Sequence, residues 1–140
     1  MAVQPFEHTW HCFICSDDES GRIQNQFQWD DERLEVRSTA HLGPKAQGAR
    51  GLVHGGGLFS LVDEAMGLVC WAQGHKVLAA HVEIDYRNAV PIDSQIDVLA
   101  RIERIDGRKL HAIGEIRHNG RVAATAKGLY VRIRDDLLKG

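Results

Sequence analysis

Residues 54–57 read HGGG, and Asp63 and Glu64 follow inside the same apolar run, LFSLVDEAMGLVCWA. Glycine amides at a helix start and a carboxylate further along are parts from which acyl-transfer chemistry can be built. A helix N-terminus leaves its first backbone N–H groups unpaired and carries partial positive charge. Glycine has no side chain, so a ligand oxygen can come close to those groups. Gly55, Gly56 and Gly57 therefore fit an anion, or a carbonyl that becomes an oxyanion in the transition state. They equally fit a close-packed helix entry. An unpaired carboxylate in so apolar a helix is costly to ionise. Such an acid is solvated, paired with an arginine, or functional. Asp63 lies seven residues beyond Gly56, roughly 10 Å along a helix axis. A carbonyl held at the glycines cannot also touch Asp63 of the same helix. If both serve one reaction, a second copy of the chain supplies one of them, which implies a two-fold dimer with shared sites.

The elements that must position these groups are legible from periodicity. A helix is expected to begin at Gly56 or Gly57 and to run to Trp71, with Gly74 as its stop. Leu58, Leu61, Val62, Ala65, Met66 and Val69 fall on one face, but Phe59, Leu68, Cys70 and Trp71 lie elsewhere around the axis. A helix apolar on most sides is covered on most sides. Strands are expected over residues 24–29 and 33–39, joined at Asp30-Asp31-Glu32. Residues 41–53, with their glycines and Pro44, read as a structureless loop of about a dozen residues, a length usually tied to function. Four more strands are expected at 77–86, 96–103, 110–117 and 122–133, with turns at Asp106-Gly107 and Asn119-Gly120. The order predicts an α+β domain, an antiparallel sheet of five or six strands curled around one long central helix. One domain is expected over residues 1–140, with 1–22 irregular.

The spacing of His54-Gly55-Gly56 to Asp63, nine residues after the histidine, resembles the signature of hotdog-fold acyl-CoA thioesterases of the PaaI-like type, in the 4-hydroxybenzoyl-CoA thioesterase superfamily. Gly43-Pro44 before it, LVDEAMG after it and HVEIDYRNAVP at 81–91 agree, and CFIC at 12–15 is similar to a CFxCG element in one branch. The resemblance covers about residues 12–133. It implies a sheet wrapped around a central helix, dimers paired edge to edge, and active sites at the dimer interface. It implies that Asp63 activates water or attacks the thioester, while the amide of Gly55, with that of Gly56, polarises the carbonyl from the partner chain. His54, counted with Asp63 and Gly55 as catalytic, would shape the turn and hydrogen-bond near the substrate. Two positions depart from the pattern. Gly48 stands where many members carry asparagine, and Ala79 where many carry serine or threonine. His81, read as lying on the same strand face as Ala79, would either substitute for the missing hydroxyl or be a structural histidine. Coenzyme A carries phosphates, so Arg87, Arg101, Arg104, Arg108 and Lys109 are candidates for the mouth of the site.

Composition excludes other classes. The 140 residues are 44 % hydrophobic and 26 % charged, with a net charge of −2, so neither nucleic acid nor a membrane surface is an expected partner. No uncharged apolar run reaches a membrane span, and MAVQPFEHTW, without a basic or an apolar region, is not expected to act as a secretory leader. Three cysteines argue against a disulfide framework and for the cytoplasm. His8, His11, Cys12 and Cys15 look like half a zinc site without its other half, and are read as packing residues; Cys70 is read as a small core residue. No metal or cofactor is expected. There is no GxSxG elbow and no phosphate-binding glycine pattern. The reaction expected is hydrolysis of an acyl-CoA thioester by a homodimer or dimer of dimers. The alternatives are a non-catalytic acyl-CoA-binding module and a hotdog enoyl-CoA hydratase or dehydratase. Phe59, Met66, Trp71 and the 41–53 loop are candidates for shaping the acyl pocket.

Overall fold

The computed structural model describes residues 3–5 and 25–138. The expectations for His8, His11, Cys12 and Cys15 lie outside those residues. The strands are β1 (Val3–Pro5), β2 (Phe27–Asp30), β3 (Glu35–Leu42), β4 (Val77–Tyr86), β5 (Ser94–Asp106), β6 (Lys109–His118) and β7 (Arg121–Arg132), and the helix α1 is Gly55–Ala72. They form one sheet of order β1-β2-β3-β5-β6-β7-β4, with every pair antiparallel. This is the hotdog arrangement expected. The sheet has seven strands, where five or six were expected. The extra strand is β1, inside the segment read as irregular. Three residues ending in Pro5 carry no period, and the edge of a sheet is where proline is tolerated.

Local chemistry fixes the turns. Asp30 Oδ1 accepts the amides of Glu32 and Arg33, each at 3.0 Å, and so closes the β2–β3 turn. Asn119 and Gly120 both have positive φ, 51° and 76°, the requirement of a two-residue type I′ hairpin. The helix ends as Gly74 suggested. The amides of Gly74 and His75 reach back to the carbonyls of Trp71 and Cys70 at 2.9 and 3.0 Å, and Gly74 has φ +87°, which is a Schellman stop. The loop before α1 is not structureless. Residues Pro44–Ala46 form a 3-10 turn, and isolated bridges tie Gln47 to Val53 and Leu52 to Pro91.

The helix lies across one face of the sheet, packed on β3, β4, β5, β6 and β7. Leu58, Leu61, Val62, Ala65, Met66, Leu68, Val69 and Cys70 are buried. Met66, offered as a pocket residue, is wholly buried in this core. Burial pushes the Cys70 thiol up to about 12, as befits a core cysteine. Among the described residues no helix is long and apolar enough to cross a membrane. Two features bear on the site. β4 ends the sheet, with β7 as its neighbour, so its other edge is open among the described residues. Its register slips by one residue between Ala79 and His81, which makes Ala80 a β-bulge.

Candidate active site

The helix N-terminus is built around His54. Its side chain caps α1, with Nδ1 accepting the Gly56 amide at 2.8 Å, and its carbonyl accepts from Gly57 and Leu58 at 2.9 and 3.3 Å. An Nδ1 that accepts places the neutral ring's proton on Nε2. The Gly55 carbonyl accepts the Tyr86 hydroxyl at 2.8 Å. The Gly55–Gly56 peptide is thus held at both ends, its oxygen by Tyr86 and its N–H by His54. The Gly55 amide, just before it, donates to no protein group among the described residues and is free for a ligand. The Gly56 amide is not free. The expectation that it joins Gly55 as a carbonyl donor is corrected by the histidine cap, which already uses it. Sequence reading found the histidine but had no means of seeing which amide it occupies.

Gly48 lies directly against this cap. A Cβ there would stand 2.8 Å from His54 Cα, closer than real contacts allow, so glycine is required for the approach. Gly48, His54, Gly55, Leu58, Tyr86 and Arg87 border a cleft of about 650 Å³. Of the candidates, Gly48, His54, Gly55 and Arg87 are therefore brought together here. Arg87 is the one of the five suggested cations that borders this cleft. Its Nε points to Thr125 Oγ1 at 3.4 Å, whereas Arg104 pairs with His111 and Arg108 donates to the Arg132 carbonyl.

Asp63 sits elsewhere. It is eight residues along the unbroken helix from Gly55, roughly 12 Å away, half-buried on the flank of α1. Its Oδ1 accepts a 2.6 Å hydrogen bond from the Tyr130 hydroxyl, which also lies 3.0 Å from the Asp63 carbonyl oxygen. Burial first, and then the Asp63 carboxylate, push the Tyr130 phenol far above its ordinary range, so it stays a donor. Sequence reading missed Tyr130, and nothing in the local pattern singles it out from other strand aromatics. Ala79 stands opposite Tyr130 in the β4–β7 register. Directly opposed residues share a face, so Ala79 belongs to the Asp63 group.

His81 does not. The bulge at Ala80 pairs His81 with Leu129, on the opposite face from Tyr130. There its Nε2 meets Glu83 Oε1 at 3.2 Å. The expectation that His81 shares a face with Ala79 and could stand in for a hydroxyl is corrected: an extra residue reverses the alternation on which it rested.

Two half-sites result. One, at the helix start and the Tyr86 end of β4, offers an amide donor, an arginine and a cleft. The other, at the Ala79 end of β4, offers a carboxylate with one oxygen tied.

Comparison with known proteins follows the same outline. Residues 50–124 match the thioesterase superfamily. The chain is 29 % identical over 93 residues to the acyl-coenzyme A thioesterase THEM4 of Bos taurus, a match spanning 65 % of this chain and 38 % of that protein. The chain thus spans well under half the length of that curated relative. It superposes on the PaaI protein of E. coli, from the phenylacetic acid degradation operon, with a TM-score of 0.73 at 22 % identity, covering 79 % of this chain and 80 % of that one. It superposes on a hypothetical thioesterase protein of Streptococcus pneumoniae solved with coenzyme A, with a TM-score of 0.68 at 22 % identity, covering 70 % and 80 %.

Proposed function

The chain belongs to the thioesterase superfamily, and on that premise we propose that it hydrolyses an acyl-CoA thioester to a carboxylic acid and coenzyme A at sites shared by two copies of the chain. One observation carries this reading. The two half-sites lie at opposite ends of one strand, β4, whose outer edge is open. Antiparallel pairing of two β4 strands about a two-fold axis near their middle exchanges those ends. It sets the Asp63 end of each chain against the Gly55 end of its partner, and makes two identical sites.

In such a site the thioester carbonyl accepts a hydrogen bond from the Gly55 amide, aided by the positive end of α1. Asp63 of the other chain takes a proton from water as the water oxygen attacks the carbonyl carbon. The tetrahedral intermediate collapses, the C–S bond breaks, and the thiolate leaves as coenzyme A, taking up a proton. Direct attack by Asp63, followed by hydrolysis of the resulting anhydride, gives the same products. Arg87 at the rim of the cleft is placed to meet a phosphate of coenzyme A. The enzyme would work as a homodimer or dimer of dimers in the cytoplasm, the compartment that suits a free thiol such as Cys70.

One observation favours a second reading. Neither Gly48 nor Ala79 brings a polar side chain to its half-site, which suits an acyl-CoA-binding module without turnover. Asp63→Asn separates the two. It is expected to leave a folded dimer by size-exclusion chromatography while thiol release from acyl-CoAs falls by about 100-fold or more. Turnover unchanged in that variant removes Asp63 from the mechanism, and tight binding without thiol release by the wild type selects the binding module.

A further inference from the structure

We propose that Tyr130 is the positioning residue of the catalytic carboxylate: its hydroxyl holds Asp63 Oδ1, fixes the carboxylate's rotation and leaves Oδ2 as the oxygen that works on substrate. This rests on the thioester-hydrolysis reading and assigns a role within it to a residue that the motif spacing does not reach.

The geometry is specific. The Tyr130 hydroxyl is 2.6 Å from Oδ1, within the range for a hydroxyl bonded to a carboxylate. The same hydroxyl lies 3.0 Å from the backbone carbonyl of Asp63, so it is anchored to the residue at two points. Among the described residues Oδ2 has no protein partner. The ring is seated by glycines on both sides. A Cβ at Gly128, two residues earlier on β7, would stand 2.5 Å from Tyr130 Cε1, and one at Gly67 on α1 would stand 3.6 Å from Cε2. Any other residue at 128 would displace the ring from this seat. Tyr130 is 2 % exposed, so water does not compete for the bond. On the other flank Ala79, opposite Tyr130 in register, is small and exposed, which leaves the carboxylate approachable from the open edge of β4. A tethered oxygen and an approachable one are what a base or nucleophile with a defined line of attack needs.

The test is Tyr130→Phe, which keeps the ring between its glycines and deletes only the hydroxyl. Single-turnover rates of thiol release are measured with enzyme in excess, so that slow variants remain readable, in wild-type, Asp63→Asn and doubly substituted protein. The expected result is a fall in kcat of roughly 10- to 100-fold for Tyr130→Phe with KM changed by less than about twofold, and no further loss when it is added to Asp63→Asn. Thermal melting checks that each variant is folded. Wild-type kcat in Tyr130→Phe overturns the assignment. So does an equal fractional loss in the Asp63→Asn background, because that marks a structural effect independent of the acid. Absence of thiol release by the wild type is a different failure: it removes the hydrolysis reading itself, and this assignment with it.

Discussion

Gly55→Pro deletes one N–H group where the backbone is already shaped for proline. Gly55 is the first residue of α1, the position at which proline is favoured because its missing N–H has no helical partner. His54, before it, has φ −62° and ψ 134°, the extended conformation that proline imposes on its predecessor. The nearest neighbour of an added Cβ is Tyr86. A Cβ at residue 55 stands 3.2 Å from Tyr86 Cζ and Oη, and that ring, 52 % exposed, has room to yield. Weakening the Tyr86 bond to the Gly55 carbonyl costs about 0.5–1.5 kcal/mol. The loss of unfolded-state freedom returns about 0.4–1 kcal/mol. The net change is within about 1 kcal/mol, or roughly 3 °C in melting temperature for a chain of this size. Activity is expected to respond far more strongly, because losing an oxyanion donor costs about 100- to 1,000-fold in kcat. Gly55→Ala is the control. It brings the same Cβ against Tyr86 but keeps the N–H, so its kcat should fall by less than about fivefold. Initial rates of thiol release and thermal melts decide the matter. A proline variant that melts near wild type and keeps more than about a third of wild-type kcat refutes the donor role. The variant also tests sharing. Refolded as an equal mixture with Asp63→Asn, it should restore about a quarter of wild-type activity, since half the dimers are mixed and each carries one intact site of two.

Gly48→Asn, which installs the residue that the family resemblance leads one to expect, should harm this protein. Its Cβ would stand 2.8 Å from His54 Cα, and overpacking of this kind costs about 1–3 kcal/mol; calorimetry should show a lower melting temperature, and thiol-release assays a lower kcat. At the β2–β3 turn the amide of Arg33 is the largest of several groups, with the Glu32 amide and the Arg37 and Arg33 guanidinium groups, that hold the Asp30 carboxyl below the usual aspartate range. A depressed carboxyl stabilises the fold above its unfolded-state value, near pH 4, and loses that contribution as pH falls through the lower folded value. The urea midpoint of the wild type should therefore drop more steeply below about pH 4 than that of Asp30→Asn.

The helix and both tight hairpins were legible because each leaves a local mark. Glycines at the helix start, Asn119-Gly120 at a two-residue turn and apolar spacing on α1 are readable without knowing what they touch. Other features are tertiary. Tyr130 reaches Asp63 across 67 positions of sequence, and no periodicity connects them. The occupation of the Gly56 amide depends on one rotamer of His54. The bulge at Ala80 escaped because two consecutive alanines carry no contrast between inner and outer faces, so the reading of His81 kept an alternation that the backbone had already broken. Residues 41–53 looked unstructured because their order comes from bridges to Val53 and Pro91 rather than from their own propensities.

That single inserted alanine has a consequence for assembly. Any strand laid along the outer edge of β4 meets a pleat that changes phase partway along its length. A copy sliding by one residue would set its kink against regular backbone, present side chains to the wrong layer and strand several amides without acceptors. The interruption works like a notch in a key, admitting few alignments of two identical edges and discouraging the indefinite stacking to which a smooth edge is prone.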